Sequence, residues 1–237
     1  GKILPVERFI KSFEEQSLRL ADSVFGQTVS GKWVYQSEVI DYVEEDLFMA
    51  PDLSTIRKIP WNKEPTAQII CDLNYPSNEP SKIAPRQVLK NIIKQLNDED
   101  LQAVVAPELE FYLCEQNLDP DLPLKTPIGK SGRRETGSRV FGIDAVNEFD
   151  KLTDDIYDYC ELMNIGVDTL VHESGPSQIE INLNHGDPLA LADQAFMFKR
   201  AVRQVALKHN IHATFMAKPY QGQPGSSMHI HQNLVSA

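Results

Sequence analysis

Hydrophobic positions recur along the chain with two different periods. Val88, Leu89, Ile92, Ile93 and Leu96 return every three to four residues, and Phe149, Leu152, Ile156, Cys160 and Met163 do so again between 147 and 164. Both stretches predict helices with one apolar stripe. A third helix opens with Asp187 as N-cap and Pro188 at its first position, then runs through Ala192, Ala195, Phe196, Val202 and Val205, the order of signals that a helix start requires. Three other segments alternate with period two, as half-buried strands do. Leu109, Phe111 and Leu113 face one way and Glu108, Glu110 and Tyr112 the other. Ile179, Ile181 and Leu183 oppose Gln178, Glu180 and Asn182, and Met228, Ile230 and Leu234 oppose His229, His231 and Asn233. Each strand therefore pairs an apolar face with a face of potential ligands.

Residues 1 to about 80 mix short apolar stretches with turn-formers and end in NYPSNEPSKIAP, a segment with linker composition. A domain boundary is expected there, separating 1–80 from 81–237. The loop PIGKSGRRETGS at 127–138 is glycine-rich, charged and free of large apolar residues, and reads as the most flexible part of the chain. No internal repeat and no heptad pattern is present.

At 237 residues the chain can bury a substantial core. Its 34 acidic against 23 basic residues give a formal charge of -11, which repels phosphate backbones and argues against nucleic acid as a partner. Cys71, Cys114 and Cys160 form no CxxC pair, so structural thiols in a reducing compartment are expected. No apolar run approaches the ~20 residues that span a bilayer, and GKILPVERFIKSFEEQ lacks the apolar core of a signal peptide. A cytoplasmic protein without membrane contact is expected.

The polar strand faces carry the candidate chemistry. Glu108 and Glu110, at i and i+2 on a strand, have Cα atoms about 7 Å apart and can present oxygens to two adjacent metal ions. Alone, the pair reads more readily as a solvated face. Side by side in one sheet, the three strands would pool Glu108, Glu110, Glu180 and nearby Glu173 with His229 and His231. Oxygen-rich ligation suits Mg²⁺ or Mn²⁺, with imidazole nudging the choice towards Mn²⁺. Zinc is less favoured, because no cysteine accompanies the histidines and HExxH is absent. Hard cations held by carboxylates imply a phosphorylated substrate. Gly129-Lys130-Ser131 is not a P-loop, since Leu124 stands where that motif needs glycine. No GxGxxG follows a predicted strand, and Gly225-Ser226-Ser227 fails the nucleophile-elbow pattern.

The runs PELEFYL (107–113), ESGPSQIEINL (173–183) and ATFMAKPYQGQPGSSMHIH (213–231), preceded by APDLSTIRKIPW (50–61), resemble the ordered motifs of the glutamine synthetase superfamily. The wording is closest to the γ-glutamylpolyamine (γ-glutamylputrescine) synthetase branch. The resemblance implies an α+β fold: an incomplete, β-grasp-like N-terminal domain, then part of a catalytic domain with a curved, largely antiparallel sheet backed by helices. It implies a site with two or more Mg²⁺ or Mn²⁺ ions, where ATP phosphorylates glutamate and an amine attacks the γ-glutamyl phosphate. By motif position, Glu110, Glu173 and Glu180 resemble ligands of the metal facing the amine and glutamate. Glu108 and His229 resemble ligands of the metal bridging the nucleotide phosphates. His231 and Asp168 resemble nucleotide contacts, and Gly225 the backbone position that holds the amino acid. A large ring-shaped homo-oligomer, a dodecamer, is implied as well.

Two departures qualify this picture. Ammonium-using members carry an aspartate in the loop corresponding to FGQTVSGKW (25–33), whereas Gly26 stands in that place here and the loop holds no acid. A site without that charge should hold ammonium poorly and leave room for a longer amine. The chain is also expected to be truncated at both ends, lacking the family's later arginines and a further metal carboxylate, and so to be inactive by itself. The expected activity is an ATP-dependent glutamate–amine ligase; the alternatives are a glutamine synthetase using ammonium and a non-catalytic relative.

Overall fold

The structure, a computed structural model, describes residues 1–34, 45–119 and 121–236. Its contacts divide the chain into two compact units, the first comprising 1–56 and 67–100 and the second 57–66 and 101–237. Among the described residues no helix is long and apolar enough to cross a membrane.

The first unit holds helix α1 (Val6–Glu14), strand β1 (Arg19–Ala21), strand β2 (Asp46–Lys58) up to Ile56, strand β3 (Ala67–Asn74) and helix α2 (Pro85–Asp98). The strands form one sheet in the order β1-β2-β3, with Leu20 opposite Leu47 in an antiparallel register. Among the described residues, Leu18, Leu47 and Ala84 are its buried apolar side chains. Arg86 of α2 reaches both Asp52 and Asp72 at 2.6 Å, and Lys90 reaches Asp72 at 2.5 Å, so charge ties this helix to β2 and β3. The apolar stripe expected along α2 is only half realised: Leu89, Ile93 and Leu96 are half-buried, while Val88 and Ile92 are 47% and 49% exposed.

The second unit is built on β4 (Leu101–Glu115), with α3 (Ile143–Val146), α4 (Asp150–Leu162), β5 (Val167–His172), β6 (Gln178–Leu183), α5 (Pro188–Lys208), β7 (Ile211–Thr214) and β8 (Met228–Ser236). One antiparallel sheet runs β5-β6-β4-β7, and β8 joins β4 along its first half. Leu109, Phe111 and Leu113 of β4 and Ile179, Ile181 and Leu183 of β6 are all at most 2% exposed. Leu152, Ile156 and Cys160 of α4 and Ala195, Phe198, Val202 and Val205 of α5 are buried too, and α5 packs on β4 and on α4. The α+β class, with a largely antiparallel sheet backed by helices, is borne out.

Two sequence expectations need correction here. Ala192 and Phe196, expected in the α5 stripe, are exposed, because the buried face follows Leu191, Ala195, Phe198, Val202 and Val205 and leaves 192 and 196 on its flank. The apolar face of β8 is not buried by the described residues. α5 packs on β4 and β7, and Ile230 and Leu234 remain 55% and 57% exposed.

Candidate metal centre

β4 is the central strand of the site because both of its neighbours present ligands to it. Glu108 lies opposite His229 of β8 on one side and Asn182 of β6 on the other, and Glu110 lies opposite Glu180. Directly paired residues project from the same face of a sheet, so the polar alternation of all three strands converges. Glu108, Glu180 and His229 each offer a ligand atom within 4.8 Å of the others. The Glu108 carboxylate also lies 3.4 Å from His229 Nδ1 and 3.0 Å from His231 Nε2.

Glu110 is nearly buried, at 8% exposure, and its Oε2 accepts hydrogen bonds from the Gln178 side-chain amide (2.9 Å) and the Ser227 N–H (3.1 Å). Glu173 sits in the turn between β5 and β6, where its Oε2 accepts from the N–H (2.9 Å) and the hydroxyl (3.1 Å) of Ser174. Burial first, and then the carboxylates of Glu108, Glu173 and Glu110, push the Glu180 carboxyl above its ordinary range, with His229 pulling the other way. Like charges gathered at such distances are costly without a cation between them.

The loop before β8 is fastened to the same strands. The Tyr112 hydroxyl donates to Pro224 O at 2.7 Å, and its pKa is pushed up to about 12 by burial and by the nearby charges of Glu110 and Glu173. Gly225 is required by space as well as by motif, since an added Cβ would stand 2.8 Å from Ala217 O. Lys218 bonds the Gln223 carbonyl at 2.5 Å and does not join the carboxylates. Asp168 stands at the bulge of β5, between Val167, which pairs with Leu183, and Thr169, which pairs with Asn182. Its charge acts on Tyr157 of α4.

The loop 127–138 is pinned rather than loose, contrary to its composition. Arg134 bonds Thr126 O and Glu115, the Ser131 N–H donates to Glu148 at 3.0 Å, and Lys130 pairs with Asp150 at 2.7 Å. Glu135, which no sequence signal marked, accepts from the Ser177 N–H (2.6 Å) and meets the Nε2 of buried His172 (2.8 Å). His172 Nδ1 in turn lies 2.8 Å from Glu173 O. The loop thereby braces the turn that carries Glu173. Glu135 also lines a cavity of about 680 Å³ together with Arg133, Arg139 and Glu148.

Residues 82–237 match the family model described as glutamine synthetase, catalytic domain. The chain belongs to the glutamine synthetase family. Among curated relatives of this family it is 36% identical over 237 residues to the γ-glutamylputrescine synthetase PuuA of Escherichia coli (strain K12), an alignment covering 99% of this chain and 50% of that protein. It is 29% identical to a glutamate–isopropylamine ligase from Pseudomonas sp, covering 99% and 51%. It is 32% identical to a glutamine synthetase from Methanocaldococcus jannaschii, covering 86% and 45%. The chain thus spans about half the length of the curated relatives it matches. The solved structure of GmaS without ligand superposes with a TM-score of 0.79 at 21% identity, over 100% of this chain and 51% of that one, which supports the same fold.

The donor set fits the divalent metals that the glutamine synthetase family implies. Carboxylate oxygens dominate, one imidazole joins them, and the buried Asn182 Oδ1, on the face shared with Glu108, has no hydrogen-bond partner among the described residues. Hard oxygen donors with a single nitrogen suit Mg²⁺ or Mn²⁺. The triad that converges draws on both expected ligand groups, uniting Glu180 with Glu108 and His229.

Proposed function

We propose that the protein is an ATP-dependent ligase that joins the γ-carboxyl of glutamate to a primary amine, a polyamine or a similar longer amine, by way of γ-glutamyl phosphate. The observation that carries this reading is the convergence of Glu108, Glu180 and His229 within 4.8 Å on one sheet face of a glutamine synthetase-type chain. Bound Mg²⁺ or Mn²⁺ would supply charge neutralisation at the transferred phosphoryl group. Glu110, Glu173 and Glu180 would hold the metal on the glutamate side, and Glu108 and His229 the metal on the phosphate side. His231 would stand at the nucleotide and the Gly225 backbone at the amino acid. Glutamate itself provides the attacking oxygen, so the chain needs to orient substrates and spread charge rather than supply a nucleophile.

Two observations favour a longer amine over ammonium. The relatives named above include a γ-glutamylputrescine synthetase and a glutamate–isopropylamine ligase, and the loop at 25–33 has Gly26 and no acid. The second reading, glutamine synthetase proper, draws on the 32% identity to the Methanocaldococcus enzyme. Full-length protein supplied with glutamate, ATP and Mg²⁺ separates the two. Phosphate release with putrescine or other polyamines is expected; release with ammonium and none with any longer amine would overturn the proposal. A ring-shaped homo-oligomer in the cytoplasm belongs to the same proposal, and sedimentation of the full-length protein as a monomer would remove the ring.

A further inference from the structure

Gln178 is the first residue of β6, fully buried, and paired in register with Tyr112 of β4. Its side chain connects three segments that each carry a candidate site residue. The amide nitrogen donates to Glu110 Oε2 and to Gly225 O, both at 2.9 Å. The amide oxygen accepts from the Gly175 N–H at 2.8 Å, inside the turn that begins with Glu173. Its main chain closes the same turn, accepting from Glu173 N–H at 2.8 Å and donating to Gly175 O at 3.1 Å. The amide orientation follows from the partners. Rotating it by half a turn would set its oxygen against a carboxylate and a carbonyl, both acceptors, and its NH₂ against an N–H donor.

We infer that Gln178 is a positioning residue whose amide sets the rotation of the Glu110 carboxylate and the place of the Gly225 backbone together, coupling a metal ligand to the amino-acid loop. This rests on the metal-site reading proposed above. Oε2 of Glu110 takes both hydrogen bonds, from Gln178 and from the Ser227 N–H, which leaves Oε1 as the oxygen to face a cation. Without the amide, Ser227 alone holds the carboxylate, and the Gly225 carbonyl loses its buried donor. Metal affinity and glutamate binding should therefore fall together, whereas nucleotide binding, assigned to Glu108, His229 and His231, should not.

The test uses full-length protein and Mn²⁺ as the probe. Gln178→Glu keeps the size of the side chain and the acceptor for Gly175; ionised it removes both donors, and protonated it keeps one O–H in place of two N–H groups. Its Mn²⁺ affinity by calorimetry should drop by about 10- to 100-fold, and its KM for glutamate should rise while its KM for ATP stays within about twofold of wild type. Gln178→Met, which is apolar and of similar length, is expected to reproduce the split and serves if the glutamate variant does not fold. A residue that acts only through packing would lower thermal stability and kcat without separating the two KM values. Folded variants with unchanged Mn²⁺ affinity and glutamate KM would overturn the role of Gln178 alone. A wild-type protein with no saturable Mn²⁺ binding would remove the metal-site reading and this inference with it.

Discussion

Glu180 carries opposing demands. Burial and three neighbouring carboxylates raise its pKa, so without a metal the fold disfavours its charged form more than the unfolded chain does. A native pKa above the unfolded one means that its contribution to stability is complete below the unfolded value of about 4.5 and is lost as pH rises through the native value. Glu180→Gln should therefore raise the thermal midpoint of the metal-free protein at pH 7 and leave it nearly unchanged at pH 4, as scanning fluorimetry would show. The same change should weaken Mn²⁺ binding by more than about 100-fold, because it removes a ligand rather than a ligand's partner. A neighbouring constraint is steric. Gly175 lies against the hydroxyl of fully buried Tyr112, and an added Cβ would overlap it. Gly175→Ala should cost about 1–3 kcal/mol in denaturant unfolding, with the Tyr112 bond to Pro224 O as the first contact to give way.

At the scale of elements, the sheet separates stability from chemistry by face. The apolar side of β4 and β6 is buried, with α5 packed on β4 and α4 packed on α5, and the other side carries the ligands. Asp187 caps α5 by accepting the Ala190 N–H at 2.8 Å. Asp187→Ala should cost about 1 kcal/mol of stability and leave Mn²⁺ affinity within about twofold, since α5 backs the face opposite the ligands. A larger loss of metal binding in calorimetry would mean that the two faces are coupled through β4. The tip of the β2–β3 connection belongs to this unit as well: Trp61 packs 6.1 Å from the Tyr159 ring, and Arg200 lies 5.8 Å from the Trp61 ring.

At the scale of the whole molecule, acidity and the metal site bear on each other. A chain of net charge -11 concentrates Glu108, Glu110 and Glu180 on a single sheet with Glu173 in the turn beside them, and a divalent cation would relieve that repulsion in the folded state alone. Mn²⁺ at about 100 times its dissociation constant should stabilise the protein by about 2.7 kcal/mol, and EDTA should reverse the gain. Thermal scans at several Mn²⁺ concentrations measure it directly; a midpoint that does not move with Mn²⁺ would contradict the site. The three cysteines are free thiols. Burial pushes Cys114 to about 11 and Cys160 to about 12, so both stay protonated and act as small apolar side chains.

Sequence by itself determined the ligand-bearing strands, because strand periodicity is local: the alternation at 108–113 and 178–183 needs only the pleat to place glutamates on one face and Leu or Ile on the other. It likewise determined the start of α5, where Asp187 and Pro188 act within one turn. Motif wording determined the family. Tertiary structure alone decided which strands neighbour one another, and so that His229 and Asn182 flank Glu108 while Glu180 faces Glu110. It decided that Glu135 and His172 brace the Glu173 turn, and that a loop of flexible composition is pinned by its arginine and glutamates. It also left the apolar side of β8 open. These outcomes depend on partners beyond the reach of a strand or helix repeat, 17 residues apart for Ser131 and Glu148, 37 for Glu135 and His172 and 68 for Glu110 and Gln178, and a local pattern holds no record of such pairings.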